Sequence, residues 1–213
     1  MSHDDGYRYT ADEALARLKE GNERFVRGEA RFPTVQKDVL AALAKGQSPY
    51  VTILGCSDSR VPPELVFDAG FGELFVVRLA GNVLSPEVIG TIQYAGTHLK
   101  TPLFVVLGHE GCGAVQAALR TLRHGTRERS RIEALLQNIV PALEEVDHRL
   151  PPEEEMRAAV EANVRWTVRR ILDTPEAKQR EVEGAMKLVG AVYELSTGSV
   201  RFLDVPPRDP AAA

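Results

Sequence analysis

Two short segments of this 213-residue chain end apolar runs with groups that bind metals. Cys56-Ser57-Asp58-Ser59-Arg60 follows the run 50–55, and His109-Glu110-Gly111-Cys112 follows the run 103–108. Between them they hold both cysteines of the chain. Two soft thiolates and one imidazole are a zinc-type donor set, and a purely structural zinc would close its fourth position with another Cys or His. With no third cysteine, the residue two positions past Cys56 is a carboxylate, Asp58, and two further on stands a guanidinium, Arg60. An arginine so placed can hold the carboxylate on or off a metal. That is the chemistry of a reactive centre rather than of a staple. Taken singly, Cys56 reads as a small buried hydrophobe and His109 as a core or loop histidine. The two motifs occurring together, with an acid and an arginine at fixed offsets, reverse that reading, because a core needs none of those groups there.

The elements that must bring these residues together follow from the hydrophobic pattern. Five apolar runs rich in β-branched residues, 50–54, 74–79, 103–107, 187–193 and 200–205, read as strands. The segments between the first four are long enough for crossovers, which predicts an α/β fold. Its mostly parallel central sheet has four parallel strands plus a C-terminal antiparallel strand, and helices flank it. The antiparallel strand is joined through a hairpin at Ser196-Thr197-Gly198. In a parallel sheet the carboxyl ends share one edge, so Cys56 and His109 leave their strands on the same side, where ligands bind in such folds. Cys112 then begins a helix over 112–122, where free N–H groups and the helix dipole favour a thiolate.

Other helices are signalled by caps and spacing. Thr10 and Glu13 form a capping box ahead of Leu15, Leu18, Asn22 and Phe25, predicting a helix over 11–27 that Gly28 stops. A second covers 35–45, with Val35, Leu40 and Leu43 inward. Ser85-Pro86 opens a helix carrying Val88, Ile92, Ala95 and Leu99. Ser130 and Glu133 read as another capping box, ahead of Ile132, Leu135, Leu136, Ile139 and Leu143. Pro151-Pro152 starts a long helix with Met156, Val160, Val164, Val168 and Ile171, and Thr174-Pro175 a short one. The helical arm 1–46 precedes every strand and is expected to pack on another subunit, and the tail 206–213 reads as disordered.

Bulk properties narrow the function. With 44% hydrophobic and 26% charged residues, the chain reads as one domain, 1–213, with a well-filled core. A net charge of -4 and a pI near 5.8 offer no footprint for nucleic acid. The basic cluster from Arg120 to Arg131 is broken by polar residues and Glu128, and reads as a solvated turn between helices. No apolar stretch approaches the ~20 residues that span a bilayer. The N-terminus lacks the pattern of a secretory signal. A cytoplasmic protein with reduced thiols, and with no membrane or nucleic-acid partner, is expected. His3, His98, His124 and His148 read as surface or loop residues.

At the residues of the two motifs the chain resembles the β-class carbonic anhydrases. The resemblance extends to Gly46-Gln47-Ser48-Pro49, Val61-Pro62, the stretch from Asp68 to Arg78, Ala80-Gly81-Asn82, Tyr94-Ala95 and Gly108 to Gly113. It covers about residues 12–123 closely and the last two strands loosely. It implies one zinc per chain bound by Cys56, His109 and Cys112, and a catalytic dyad of Asp58 and Arg60. Asp58 would be the fourth ligand in a closed state and would swing to Arg60 in an open one. It also implies a substrate pocket of Gln47, Phe75, Ala80, Tyr94 and Gly113 at a dimer interface, in a homodimer or larger homo-oligomer. Ala80 stands where a larger aliphatic residue is common, which would widen that pocket. Some bacterial members carry a second bicarbonate site with a tryptophan three residues before the first zinc cysteine; here that position is Ile53, although Arg78, another member of that site, is present.

The implied activity is zinc-dependent, reversible hydration of carbon dioxide to bicarbonate and a proton. Zinc lowers the pKa of bound water, but two thiolates give it more negative charge than three neutral imidazoles would, so activity is expected to rise toward alkaline pH. Hydrolysis of carbon disulfide or carbonyl sulfide on the same fold, and a non-catalytic structural zinc protein, remain alternatives at this stage.

Overall fold

A computed structural model describes residues 9–31 and 37–204. The strands are β1 (Val51–Gly55), β2 (Leu74–Arg78), β3 (Leu103–His109), β4 (Lys187–Tyr193) and β5 (Val200–Leu203). They form one sheet in the order β2-β1-β3-β4-β5. The first four are parallel and β5 runs antiparallel to β4. The expected topology is therefore found, with β3 two residues longer than its pattern suggested, so that His109 is itself the last strand residue.

Alternation along the strands divides the interior into two cores. Val51 and Ile53 of β1, Leu103, Val105 and Leu107 of β3, and Ala191 and Tyr193 of β4 face one side. Leu54, Phe104, Val106 and Val192 face the other. The second, larger core is covered by α4 (Pro86–Tyr94), α5 (Gly113–His124), α6 (Arg131–Leu136), α7 (Val140–Leu143), α8 (Pro152–Leu172) and α9 (Pro175–Val182). Among the described residues no helix is long and apolar enough to cross a membrane.

The first core is closed by α1 (Ala11–Val26) and α3 (Pro63–Val66), which gives the first helix a sheet partner in its own chain that the sequence order did not show. Ala14 and Leu18 of α1 are wholly buried against the sheet of their own chain. Asn22 ties the helix down, donating from Nδ2 to the carbonyls of Val66 (3.1 Å) and Gly198 (2.9 Å) and accepting from the Val200 N–H (2.8 Å). Arg24 donates to the buried carboxylate of Asp68 at 2.6 Å. At Gly21 the helix comes so close that an added Cβ would lie 1.9 Å from the Phe67 carbonyl oxygen. Gly21→Ala is expected to destabilise the protein by about 1–3 kcal/mol through overpacking, lowering the melting temperature by several degrees. An unchanged melting curve would mean that α1 does not pack here.

The second helix, α2 (Lys37–Leu43), departs from its reading too. Leu40, expected inward, is 48% exposed, and Leu43 is the side chain that reaches the Gly72 backbone. Val35 and the 206–213 tail lie outside the described residues. The capping box at Thr10 and Glu13 forms as expected, with both reciprocal bonds present. The one expected at Ser130 does not: Ser130 makes no side-chain cap, because the Glu133 carboxylate accepts instead from Arg127, the Glu128 N–H and Gln137. The helix beyond it is divided into α6 and α7, since Pro141 has no N–H to continue the ladder. Of the basic cluster 120–131, residues 120–124 continue α5, with Arg123 tied to Glu155 and the Val146 carbonyl, while 125–130 form the exposed turn that was expected.

Candidate active site

The carboxyl edge of β1 and β3 holds the site. Cys56 follows β1, His109 ends β3 and Cys112 caps α5. All three are buried, and their ligand atoms lie within 4.8 Å of one another. His109 is wholly enclosed; its Nδ1 donates to the Glu110 carbonyl at 2.9 Å, which leaves Nε2 with a lone pair. Nε2 has no hydrogen-bond partner although it is buried. A buried, unpartnered acceptor beside two sulfurs fits a metal, and two thiolates with one neutral imidazole are a donor set that suits zinc.

The electrostatics agree with that fit. The Cys56 thiol is pulled down to about 4, first by the Cys112 thiol donating to it, against the opposing cost of burial, with the Gly81 N–H adding to the lowering. Cys112 is pushed up, first by that same shared hydrogen bond and then by burial and the Cys56 charge. Two thiolates this close to one another resist forming together. A divalent ion removes that resistance.

Asp58 stands beside the three ligands with its carboxylate paired to Arg60. Arg60 Nε donates to Oδ1 at 2.9 Å, Nη2 to Oδ2 at 2.7 Å, and the Arg60 backbone N–H to Oδ1 at 3.0 Å. Oδ2 is nevertheless only 3.7 Å from His109 Nε2. The Arg60 side chain holds the Asp58 carboxyl well below the usual carboxylate range. Of the two arrangements expected for Asp58, this is the one paired with Arg60.

The surrounding loop is fixed by a residue read from the sequence only as part of a second anion site. Arg78, at the end of β2, donates from Nε to the Cys56 carbonyl (2.9 Å) and from Nη2 to the Asp58 carbonyl (2.6 Å). Ile53 is fully buried in the core on the α1 side. Two residues of the quoted motifs were given no role of their own from the sequence: Gly81, whose N–H donates to Cys56 Sγ at 3.3 Å, and Glu110, whose carboxylate accepts from the N–H and hydroxyl of Ser196 on the hairpin. Of the expected pocket residues, Phe75 and Tyr94 are neighbours, with ring centroids 6.3 Å apart, and Tyr94 also stacks on His98 at 4.9 Å. Ala80 opens the turn that contains Gly81, and Gly113 begins α5. Gln47 is exposed in the segment between α2 and β1.

The fold and site define an α/β protein with a Cys-His-Cys metal-binding group and a carboxylate–guanidinium pair at the carboxyl edge of its sheet. Comparison with known proteins identifies the lineage. The family model for carbonic anhydrase matches residues 51–200. Carbonic anhydrase 2 of Mycobacterium tuberculosis is 41% identical over 196 residues, covering 88% of this chain and 90% of its own. A carbonic anhydrase of Mycolicibacterium smegmatis is 38% identical over 187 residues, covering 87% and 89%. Among solved structures, the Coccomyxa β-carbonic anhydrase in complex with acetazolamide superposes with a TM-score of 0.72 at 27% identity, covering 89% of this chain and 86% of that one. The chain belongs to the β-class carbonic anhydrase family.

Proposed function

We propose that this protein catalyses the reversible hydration of carbon dioxide to bicarbonate and a proton, as a zinc enzyme of the lyase class. The observation that carries the reading is the convergence of Cys56, Cys112 and the unpartnered His109 Nε2 beside an Asp58 that Arg60 holds aside. Those three residues would hold one zinc per chain. When bound, zinc supplies Lewis acidity, which makes a water molecule acidic enough to react near neutral pH.

The protein side of the reaction follows from the dyad. With its pKa far below neutrality, Asp58 is a poor proton sink but a permanent acceptor. Its Oδ2, pinned by Arg60 and close to His109 Nε2, takes a hydrogen bond from the attacking water and aims a lone pair at the substrate carbon. Gln47 is assigned the donor to the substrate oxygen that becomes charged, an oxyanion-hole role. Phe75, Ala80 and Tyr94 are assigned an apolar wall suited to a nonpolar gas, and the Gly113 backbone is assigned to the same pocket.

The pocket is completed by a second copy of the chain. β2 is an edge strand, and Val39, Leu40, Leu65, Phe71 and Tyr94 are exposed to between 41% and 57% in the single chain. So many large apolar side chains left in water favour a homodimer or larger homo-oligomer that covers them. A cytoplasmic location suits two thiols that must stay reduced to bind metal.

Stopped-flow hydration of carbon dioxide by the zinc-loaded protein is the test. Fast turnover that grows from neutral to alkaline pH is expected. A preparation with one zinc per chain and no hydration above buffer would remove the assignment.

A further inference from the structure

Helix α8 seats the metal centre from the larger core, through a residue that no local motif marks. Its buried face is Ala159, Val160, Asn163, Val164, Thr167, Val168 and Ile171, and Asn163 alone among these carries an amide. Burying an amide in such a stripe is costly unless it is bonded. Asn163 Nδ2 donates to the Gly81 carbonyl at 2.9 Å, across 82 positions of sequence. Gly81 sits in the left-handed region (φ 68°, ψ 22°), and an added Cβ there would lie 2.6 Å from Ile139 Cδ1. Held in that conformation, Gly81 presents its own N–H to Cys56 Sγ. On the same helix Val164 and Val160 press against Gly108, where a Cβ would come within 2.6 Å and 3.4 Å of them, one residue before His109. One helix therefore sets the position of both halves of the ligand set.

We propose that Asn163 is a positioning residue of the metal centre: by fixing the Gly81 carbonyl it keeps the Gly81 N–H on the Cys56 sulfur, and so sets how tightly that sulfur holds a metal. The inference rests on the metal-site reading above. A hydrogen bond to a ligating thiolate draws charge from sulfur and lowers the energy of its donor orbital. Losing it weakens the orientation of the ligand and makes the sulfur easier to oxidise.

Cobalt(II) is the probe. An intense thiolate-to-cobalt charge-transfer band in the wild type is expected, and its absence would overturn the metal-site reading itself. In Asn163→Leu, which keeps the branched side-chain skeleton and deletes the donor, the band should move to longer wavelength and the cobalt dissociation constant should rise by about 10–100-fold. Val168→Ala removes packing from the same stripe without touching a hydrogen bond; it should lower the melting temperature and leave the band in place. A folded Asn163→Leu with unchanged band and affinity would overturn the inference and leave Asn163 a structural amide. If that variant does not fold, the wild type loaded with an NMR-active cadmium isotope decides. The Gly81 amide proton should couple to cadmium through sulfur, and the Asn163 side-chain amide should exchange slowly. Failure of either would sink the proposal.

Discussion

Cys112→Ser is expected to lose its zinc on dialysis against a chelator that the wild type withstands, and its carbon dioxide hydration should fall to the buffer background. The substitution separates metal binding from folding, because Cys112 is the N-cap of α5 and serine is among the best N-cap residues. The helix start is kept or improved, while the donor changes from a thiol that a cation readily deprotonates to a hydroxyl that stays protonated at neutral pH. The loss of affinity should exceed the ~10–100-fold that removal of an outer-shell partner costs. The metal-free variant should melt at or slightly above metal-free wild type. A zinc-replete, fully active Cys112→Ser would take Cys112 out of the site, and with it the argument from the orphaned His109 Nε2.

Much of this site was legible because its ligands are close in sequence to strand ends that the hydrophobic pattern marks. Cys56, Asp58 and Arg60 lie within one turn, and His109 and Cys112 within another. The parallel sheet does the rest, since four strands with crossovers can only bring their carboxyl ends to one edge. The features that escaped are bonds between a side chain and a distant backbone group. Arg78 reaches the Cys56 and Asp58 carbonyls over about twenty positions, and Asn163 reaches Gly81 over 82. A carbonyl has no residue identity, so such contacts leave no spacing to read.

The sheet partner of α1 escaped for a different reason. No topological rule places a helix that precedes the first strand, and its partner became visible only through the close approach at Gly21 and the bonds of Asn22. At Ser130 the local signal was real, but Arg127 and Gln137 compete for the same Glu133 carboxylate and win it.

Asp58→Ala is expected to keep zinc and lose turnover by about 10²–10⁴-fold, the range for removal of a positioned proton-transfer or hydrogen-bonding group. Metal retention follows from the geometry, since both carboxylate oxygens are bonded to Arg60 and the three buried ligands are untouched. Arg60→Ala should also be slow, for the opposite reason: it releases a carboxylate whose Oδ2 is 3.7 Å from His109 Nε2, close enough to close over the metal. The two effects are one interaction, so the double variant should be no slower than Asp58→Ala alone rather than the product of both losses. The pH dependence separates the dyad from the metal. A carboxyl whose folded pKa is depressed adds its stabilisation above its unfolded value, about 4, and loses it only as pH falls through the lower folded value. Asp58 therefore stays ionised from alkaline pH down through the mildly acidic range, and the rise of activity with pH must persist, at reduced amplitude, in Asp58→Ala. A flat profile in that variant would assign the titration to Asp58 and reverse its proposed part, from a fixed acceptor that orients water to a base that takes its proton.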